Sequence, residues 1–156
     1  MMNKINYSIV PCTENYFEQV IKGIEIMQLD NRELKMNDFL IALVESSILA
    51  GFGRIRKYSN AAEVCSVGVF EKYRNNGIGK SIIQQLIYNF TIVQKNTLPI
   101  YVVTIIPKYF EKLGFGIIKE ASYPKEIYDK WLYCVSELPV PEEYVIMRFN
   151  HLSPNL

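Results

Sequence analysis

The residues best suited to chemistry in this 156-residue sequence lie around a pair of glycines. Arg74, Asn75, Asn76, Gly77, Ile78, Gly79 and Lys80 run from a turn into a stretch of helical periodicity. Glycines at a helix start let the backbone approach a ligand closely, and the unpaired N–H groups of the first turn favour negative charge. A phosphate suits that place, although glycines there also mark plain tight turns. Upstream stands a carboxylate, Glu63, and downstream a phenol, Tyr109, which are a base and an acid by type. Arg54 and Arg56 share one face of a strand with Phe52, where their guanidinium groups can hold a carboxylate or simply meet solvent. His151, the single histidine, falls after the last strand and reads as a surface residue. Cys12, Cys65 and Cys134 are odd in number and lack Cys-x-x-Cys spacing, so neither a disulfide framework nor a cysteine metal site is expected.

Counting tests two phosphate motifs. A dinucleotide fingerprint needs a third glycine at position 82, which is Ile82. A P-loop ending in Gly79-Lys80-Ser81 needs its first glycine at position 74, which is Arg74. Both fail, and with them the nucleotide-hydrolase reading.

The elements that must position these groups follow from periodicity. Ile5 to Val10 alternates as a strand, and Tyr16, Phe17, Val20, Ile21 and Ile24 recur at helical spacing. Gln28 to Asp38 is polar and poorly periodic, a loop or short irregular helix. Phe39 to Val44 and Ile48 to Arg56 form a hairpin, and after the turn Tyr58-Ser59-Asn60 the segment Glu63 to Phe70 reads as a third antiparallel strand. Ile78, Ile82, Ile83, Leu86, Ile87 and Phe90 share one helical face. Leu98 to Thr104 reads as a strand buried on both faces. Pro107 and Gly114 bracket a short helix, Lys108 to Leu113, and Phe115 to Lys119 and Tyr144 to Phe149 are two last strands around a loop. Strand, helix, three strands, helix, strand, helix, strand, loop, strand predicts an α+β class, an α/β mixed and mostly antiparallel sheet flanked by helices, in one domain over residues 1–156.

Composition narrows the function classes. Seventeen Lys plus Arg against sixteen Asp plus Glu leave a net charge of +1, which supplies no field for a polyanion, so no nucleic-acid partner is expected. The longest apolar run, Phe39 to Val44, is far short of the roughly 20 residues of a membrane span. The start, Met1 to Tyr7, has no signal-like apolar core. A cytoplasmic protein without a membrane partner is the expectation.

The strand followed by Arg74-x-x-Gly77-x-Gly79 resembles motif A of the GNAT superfamily of N-acetyltransferases, and Tyr109-Phe110-Glu111-Lys112-Leu113-Gly114-Phe115 resembles its motif B. With the strand order, the resemblance covers residues 5–119. Val102-Val103-Thr104, Tyr123-Pro124-Lys125, Cys134 and Glu143-Tyr144-Val145-Ile146-Met147 further resemble members similar to N-acetylglutamate synthase, in which a second cysteine commonly follows the first. The resemblance implies a GNAT-like acyl-CoA N-acyltransferase fold and acetyl-CoA as co-substrate. Its pyrophosphate would lie on Arg74 to Lys80, its pantetheine along Gly68 and Val69, and the thioester oxygen on the Val67 N–H. It implies Glu63 as general base or water relay; Tyr109, as a phenol, is the candidate general acid, the alternative being that its ring is core or surface and the thiolate leaves unaided. Tyr109 is displaced by one residue from the usual tyrosine position, which Phe110 holds, and that step turns a helical side chain by about 100°.

The implied reaction is acetyl transfer to the primary amine of a small molecule, with amino acids in view, by direct attack on the thioester in a monomer or homodimer without metal. Two alternatives stay open. Phe110 is compatible with an acyl-CoA sensor that does not turn over. Folding at Tyr58-Ser59-Asn60 sets Arg54 opposite Glu63, which would make that carboxylate a cross-strand ion-pair partner. The segments 28–38 and 122–140 would choose the acceptor, and Tyr128, Trp131 and Tyr133 either wall its pocket or fill core.

Overall fold

The computed structural model describes residues 4–118, 123–138 and 140–150. It contains β1 (Tyr7–Pro11), α1 (Glu14–Ile26), β2 (Phe39–Val44), β3 (Ile48–Lys57), β4 (Ala62–Val69), α2 (Ile78–Tyr88), β5 (Ile100–Thr104), α3 (Pro107–Glu111), β6 (Phe115–Ile117), α4 (Lys125–Glu137) and β7 (Val145–Phe149). The seven strands form a mixed sheet in the order β1-β2-β3-β4-β5-β7-β6. Neighbours run antiparallel at β1/β2, β2/β3, β5/β7 and β7/β6, and parallel at β4/β5. The chain divides into two compact units, residues 1–55 with 65–96, and residues 56–64 with 97–156.

In the first unit two apolar clusters form. One gathers Val20 and Ile24 of α1 with Phe39, Ile41, Leu49 and Phe52; the other gathers Ile78, Ile82 and Leu86 of α2 with Leu40, Ala42 and Ala50. β2 is therefore buried along its whole length, and this explains why Phe39 to Val44 is a continuous apolar run and not an alternating one. Each fully buried aliphatic chain contributes about 1.5–3 kcal/mol relative to exposure. Close seating of α2 requires small residues beneath it. A Cβ on Gly53 would stand 2.9 Å from Ile82 Cγ2, and one on Gly51 would stand 3.2 Å from Ile78 Cγ2.

In the second unit Ala61, Tyr101, Ile127 and Ile146 form the core, flanked by Tyr58, Val103, Tyr123 and Trp131. The short helix begins at Pro107 and is followed by Gly114 at φ +97°, as the proline and glycine predict. β7 enters between β5 and β6, pairing Tyr101 with Arg148 on one side and Phe115 with Phe149 on the other.

The connection read as a loop before β7 is instead mostly helix. α4 spans thirteen residues and buries Ile127, Lys130 and Cys134. Their separation by three and four positions is a helical stripe. Prolines at 124, 139 and 141 obscured it by bracketing the element, and Lys130, a charged residue, occupies one of its inward places.

Candidate active site

The glycine turn grows directly out of β4. After Val69 the chain makes one 3-10 turn, Glu71–Tyr73, and then passes through two left-handed residues, Asn75 at φ +66° and Gly77 at φ +77°. Asparagine and glycine are the residues that tolerate this conformation. Asn76 Nδ2 donates to the carbonyls of Tyr73 and Arg74, both at 3.0 Å, and Arg74 Nε donates to the Val69 carbonyl at 3.0 Å. The turn is thus fixed from within.

Gly77 is the cap of α2 and supplies no side-chain hydrogen bond. The first intrahelical donor is the Ser81 N–H, to the Gly77 carbonyl at 3.0 Å, so the N–H groups of Ile78, Gly79 and Lys80 lie ahead of the helix's own ladder. Tyr7 pins this end by its hydroxyl, 2.6 Å from Ser81 Oγ and 3.3 Å from the Gly77 carbonyl. The Ile78 side chain is buried while Arg74, Asn75, Gly77 and Lys80 are exposed. The uncapped N-terminus of this eleven-residue helix, with exposed Arg74 and Lys80 beside it, has the electrostatics that favour an anion. Val67 and Val69 are half-buried and Gly68 is buried, with a Cβ there striking Met27 Sδ at 2.5 Å.

Glu63 sits at the start of β4, paired in register with Tyr101 of β5. Its side chain is fully buried, and its two oxygens have separate partners. Lys130 Nζ donates to Oε2 at 2.6 Å, and the Tyr58 hydroxyl donates to Oε1 at 2.8 Å. Arg56, also buried, lies over the Tyr58 ring at 5.4 Å. Glu63 is therefore enclosed, and of its two partners Lys130 is buried and Tyr58 half-buried.

The expected cross-strand pair of Arg54 with Glu63 does not form. Arg54 donates from Nε to Ser66 Oγ at 3.1 Å and from its terminal nitrogens to the carbonyls of Asp30 and Glu33 at 3.2 and 3.3 Å. At 0% exposure it cannot reach a substrate carboxylate, so its expected binding role is replaced by a structural one. The loop 28–38 is polar because it carries Asp30, itself buried and gripped by Arg32.

Tyr109 is 37% exposed, and its hydroxyl has no partner among the described residues. Burial of the remainder raises its pKa above the ordinary tyrosine value, keeping the phenol protonated. Phe110 is core, edge-on to Phe115 at 5.4 Å. Trp131 donates to the Tyr144 carbonyl at 3.0 Å and stacks with the exposed Tyr128. Cys12, Cys65 and Cys134 are buried thiols that form no disulfide. Among the described residues no group of three His, Cys, Asp or Glu side chains can hold a metal ion, and no helix is long and apolar enough to cross a membrane. His151 lies outside the described residues.

Comparison with known proteins gives a consistent family. A model described as an Acetyltransferase (GNAT) domain matches residues 35–117, a span that holds Glu63, the glycine turn and Tyr109. An uncharacterized N-acetyltransferase of Chlorobaculum tepidum is 23% identical over 108 residues, covering 69% of this chain and 68% of that protein. N-acetylglutamate synthase from Neisseria gonorrhoeae, complexed with coenzyme A and N-acetyl-glutamate, matches with a TM-score of 0.71 at 12% identity, over 94% of this chain and only 35% of that one. Rv2747 from Mycobacterium tuberculosis, in complex with CoA, matches at 0.70 and 14% identity over 91% of this chain and 98% of that one. A GNAT-family acetyltransferase from Staphylococcus aureus matches at 0.65 and 22% identity over 93% and 99% of the two chains.

Proposed function

Because this chain belongs to the GNAT acetyltransferase family and is an N-acetyltransferase, we propose that it uses acetyl-CoA to acetylate the primary amine of a small molecule, with amino acids as the favoured class. The observation that carries the cofactor is the Asn75 to Gly77 left-handed turn, which presents the start of α2 without a side-chain cap. There the N–H groups of Ile78, Gly79 and Lys80, with Arg74, Asn75 and Asn76 alongside, receive the pyrophosphate. Gly68 and Val69 take the pantetheine arm as an added strand would lie, and the Val67 N–H polarises the thioester carbonyl. The coenzyme A in the Neisseria and Mycobacterium structures supports this assignment.

The amine attacks as the neutral base, and for an α-amine with a pKa of about 8 a useful fraction is already neutral at pH 7. Attack turns that nitrogen into a strongly acidic ammonium, so the proton needs only a place to go. Glu63 acts at one remove: the proton passes to the Tyr58 oxygen as the Tyr58 proton moves to Glu63 Oε1. Tyr109, kept protonated by burial, gives a proton to the departing thiolate. Arg56, the other arginine expected to hold an acceptor carboxylate, is itself buried over the Tyr58 ring.

A second reading, a sensor that binds acyl-CoA without turnover, is favoured by one fact: both oxygens of Glu63 are already bonded. A melting assay tests the cofactor. Acetyl-CoA at 100 times its dissociation constant should add about 2.7 kcal/mol of stability, and ATP much less. Equal shifts with ATP and none with acetyl-CoA would sink the assignment. Release of free thiol in the presence of amines then separates enzyme from sensor.

A further inference from the structure

Among the described residues seven non-glycine residues have left-handed backbone, and Ser66, at φ +53°, is the one that lies within a strand. Serine has no special tolerance for that region, unlike Asn75 in its turn. A left-handed residue inside a strand is the backbone signature of a bulge, which bends the strand and re-aims the peptide that follows it. The peptide that follows is the one bearing the Val67 N–H.

The conformation is enforced by a buried clamp. Ser66 Oγ donates to the Asp30 carbonyl at 2.8 Å and accepts from Arg54 Nε at 3.1 Å. Arg54 also donates to the carbonyls of Asp30 and Glu33, which fastens the 30–33 loop to β3 and β4 together. Asp30 in turn receives three hydrogen bonds from Arg32, two from its side chain and one from its backbone. Ser66, Arg54 and Asp30 are 6%, 0% and 4% exposed. A fully buried guanidinium is a poor way to gain stability, because an apolar side chain of similar volume would serve as well or better. What it supplies is geometry: five directed donors fixed by packing. Strained backbone over-determined by its surroundings is a mark of a functional position.

We propose that Arg54, Ser66 and Asp30 are positioning residues for acetyl transfer, holding the left-handed turn at Ser66 so that the Val67 N–H points at the thioester oxygen. This rests on the reading that acetyl-CoA lies along Val67 to Val69. The two claims fail differently. Absence of acetyl-CoA binding by the unaltered protein removes the reading, whereas binding with a carbonyl indifferent to Ser66 removes the clamp.

The test is isotope-edited infrared spectroscopy of acetyl-CoA, labelled with carbon-13 at the thioester carbonyl, bound to the full chain. The unaltered protein should lower the carbonyl stretch relative to free acetyl-CoA. Ser66→Ala keeps the Cβ that disfavours the left-handed region and loses both hydrogen bonds that hold it there, so the band should return toward its free position while CoA affinity stays within about threefold. Ser66→Gly loses the same bonds but adopts positive φ without strain, so it should keep the lowered band. Arg54→Lys keeps the buried charge and removes the Nε donor, and should behave as Ser66→Ala does, which covers the case in which the alanine variant does not fold. An unshifted band in the unaltered protein despite binding, a lowered band in Ser66→Ala or Arg54→Lys, or a loss in Ser66→Gly overturns the proposal.

Discussion

Lys130→Met removes one half of the buried ion pair with Glu63. The two side chains are 5% and 0% exposed and meet at 2.6 Å. Methionine keeps most of the stem's volume, so packing against the core changes little. The Glu63 carboxylate is left with the Tyr58 hydroxyl alone. Stranding a buried charge by removing its partner costs about 3–5 kcal/mol, a large share of the roughly 5–15 kcal/mol that holds an ordinary domain. With a urea dependence of about 2 kcal/mol per molar, the midpoint should fall by about 1.5–2.5 M. Trp131, the single tryptophan, is the next residue and donates to the Tyr144 carbonyl, so its fluorescence follows this unit. The double variant Glu63→Leu/Lys130→Met removes both charges and should recover at least half of the loss, since an apolar pair of similar volume replaces a buried ion pair at little cost. A single variant within about 0.5 M of the unaltered midpoint, or a double variant as unstable as the two singles combined, would refute the reasoning.

The same structure fixes further outcomes. Gly79→Val places a branched side chain in the first turn of α2, so acetyl-CoA affinity measured by calorimetry should fall at least about tenfold, or 1.4 kcal/mol, with the fold retained. Tyr109→Phe should lower turnover by about 10²-fold if the phenol is the proton donor. Because burial raises the phenol's pKa, the unaltered profile should hold until above about pH 10, then lose both activity and that residue's burial stabilisation as the phenolate forms; the variant should lack this alkaline limb. The three cysteines are buried, and burial raises the Cys12 thiol further from its thiolate. A thiol reagent should therefore count none in the native protein and three after unfolding.

The glycine turn was legible because its chemistry is local. Asn75, Gly77 and Gly114 each need a left-handed backbone that few residue types accept, so type and conformation coincide. The hydrophobic faces of α1 and α2 were legible for a similar reason, since period alone places them. The buried partners of Glu63 were not, because Lys130 approaches it from 67 positions away on a helix that its flanking prolines disguised. Arg54 shows the same limit. Alternation correctly set it on β3, but the loop that claims it, through the carbonyls of Asp30 and Glu33, has no periodicity to read. Ser66 carried no signal at all, since nothing in a serine marks a strand position with positive φ.

Transfer is read by following the acetyl group itself. The full chain is incubated with acetyl-CoA bearing a carbon-13 carbonyl and a panel of amino acids, polyamines, aminoglycosides and peptides, and the mixture is read by mass spectrometry. At least one small primary amine should gain the labelled acetyl group, with one free CoA released per amide formed and no product without the protein. Tight binding of acetyl-CoA with no amine labelled above the protein-free rate would contradict it.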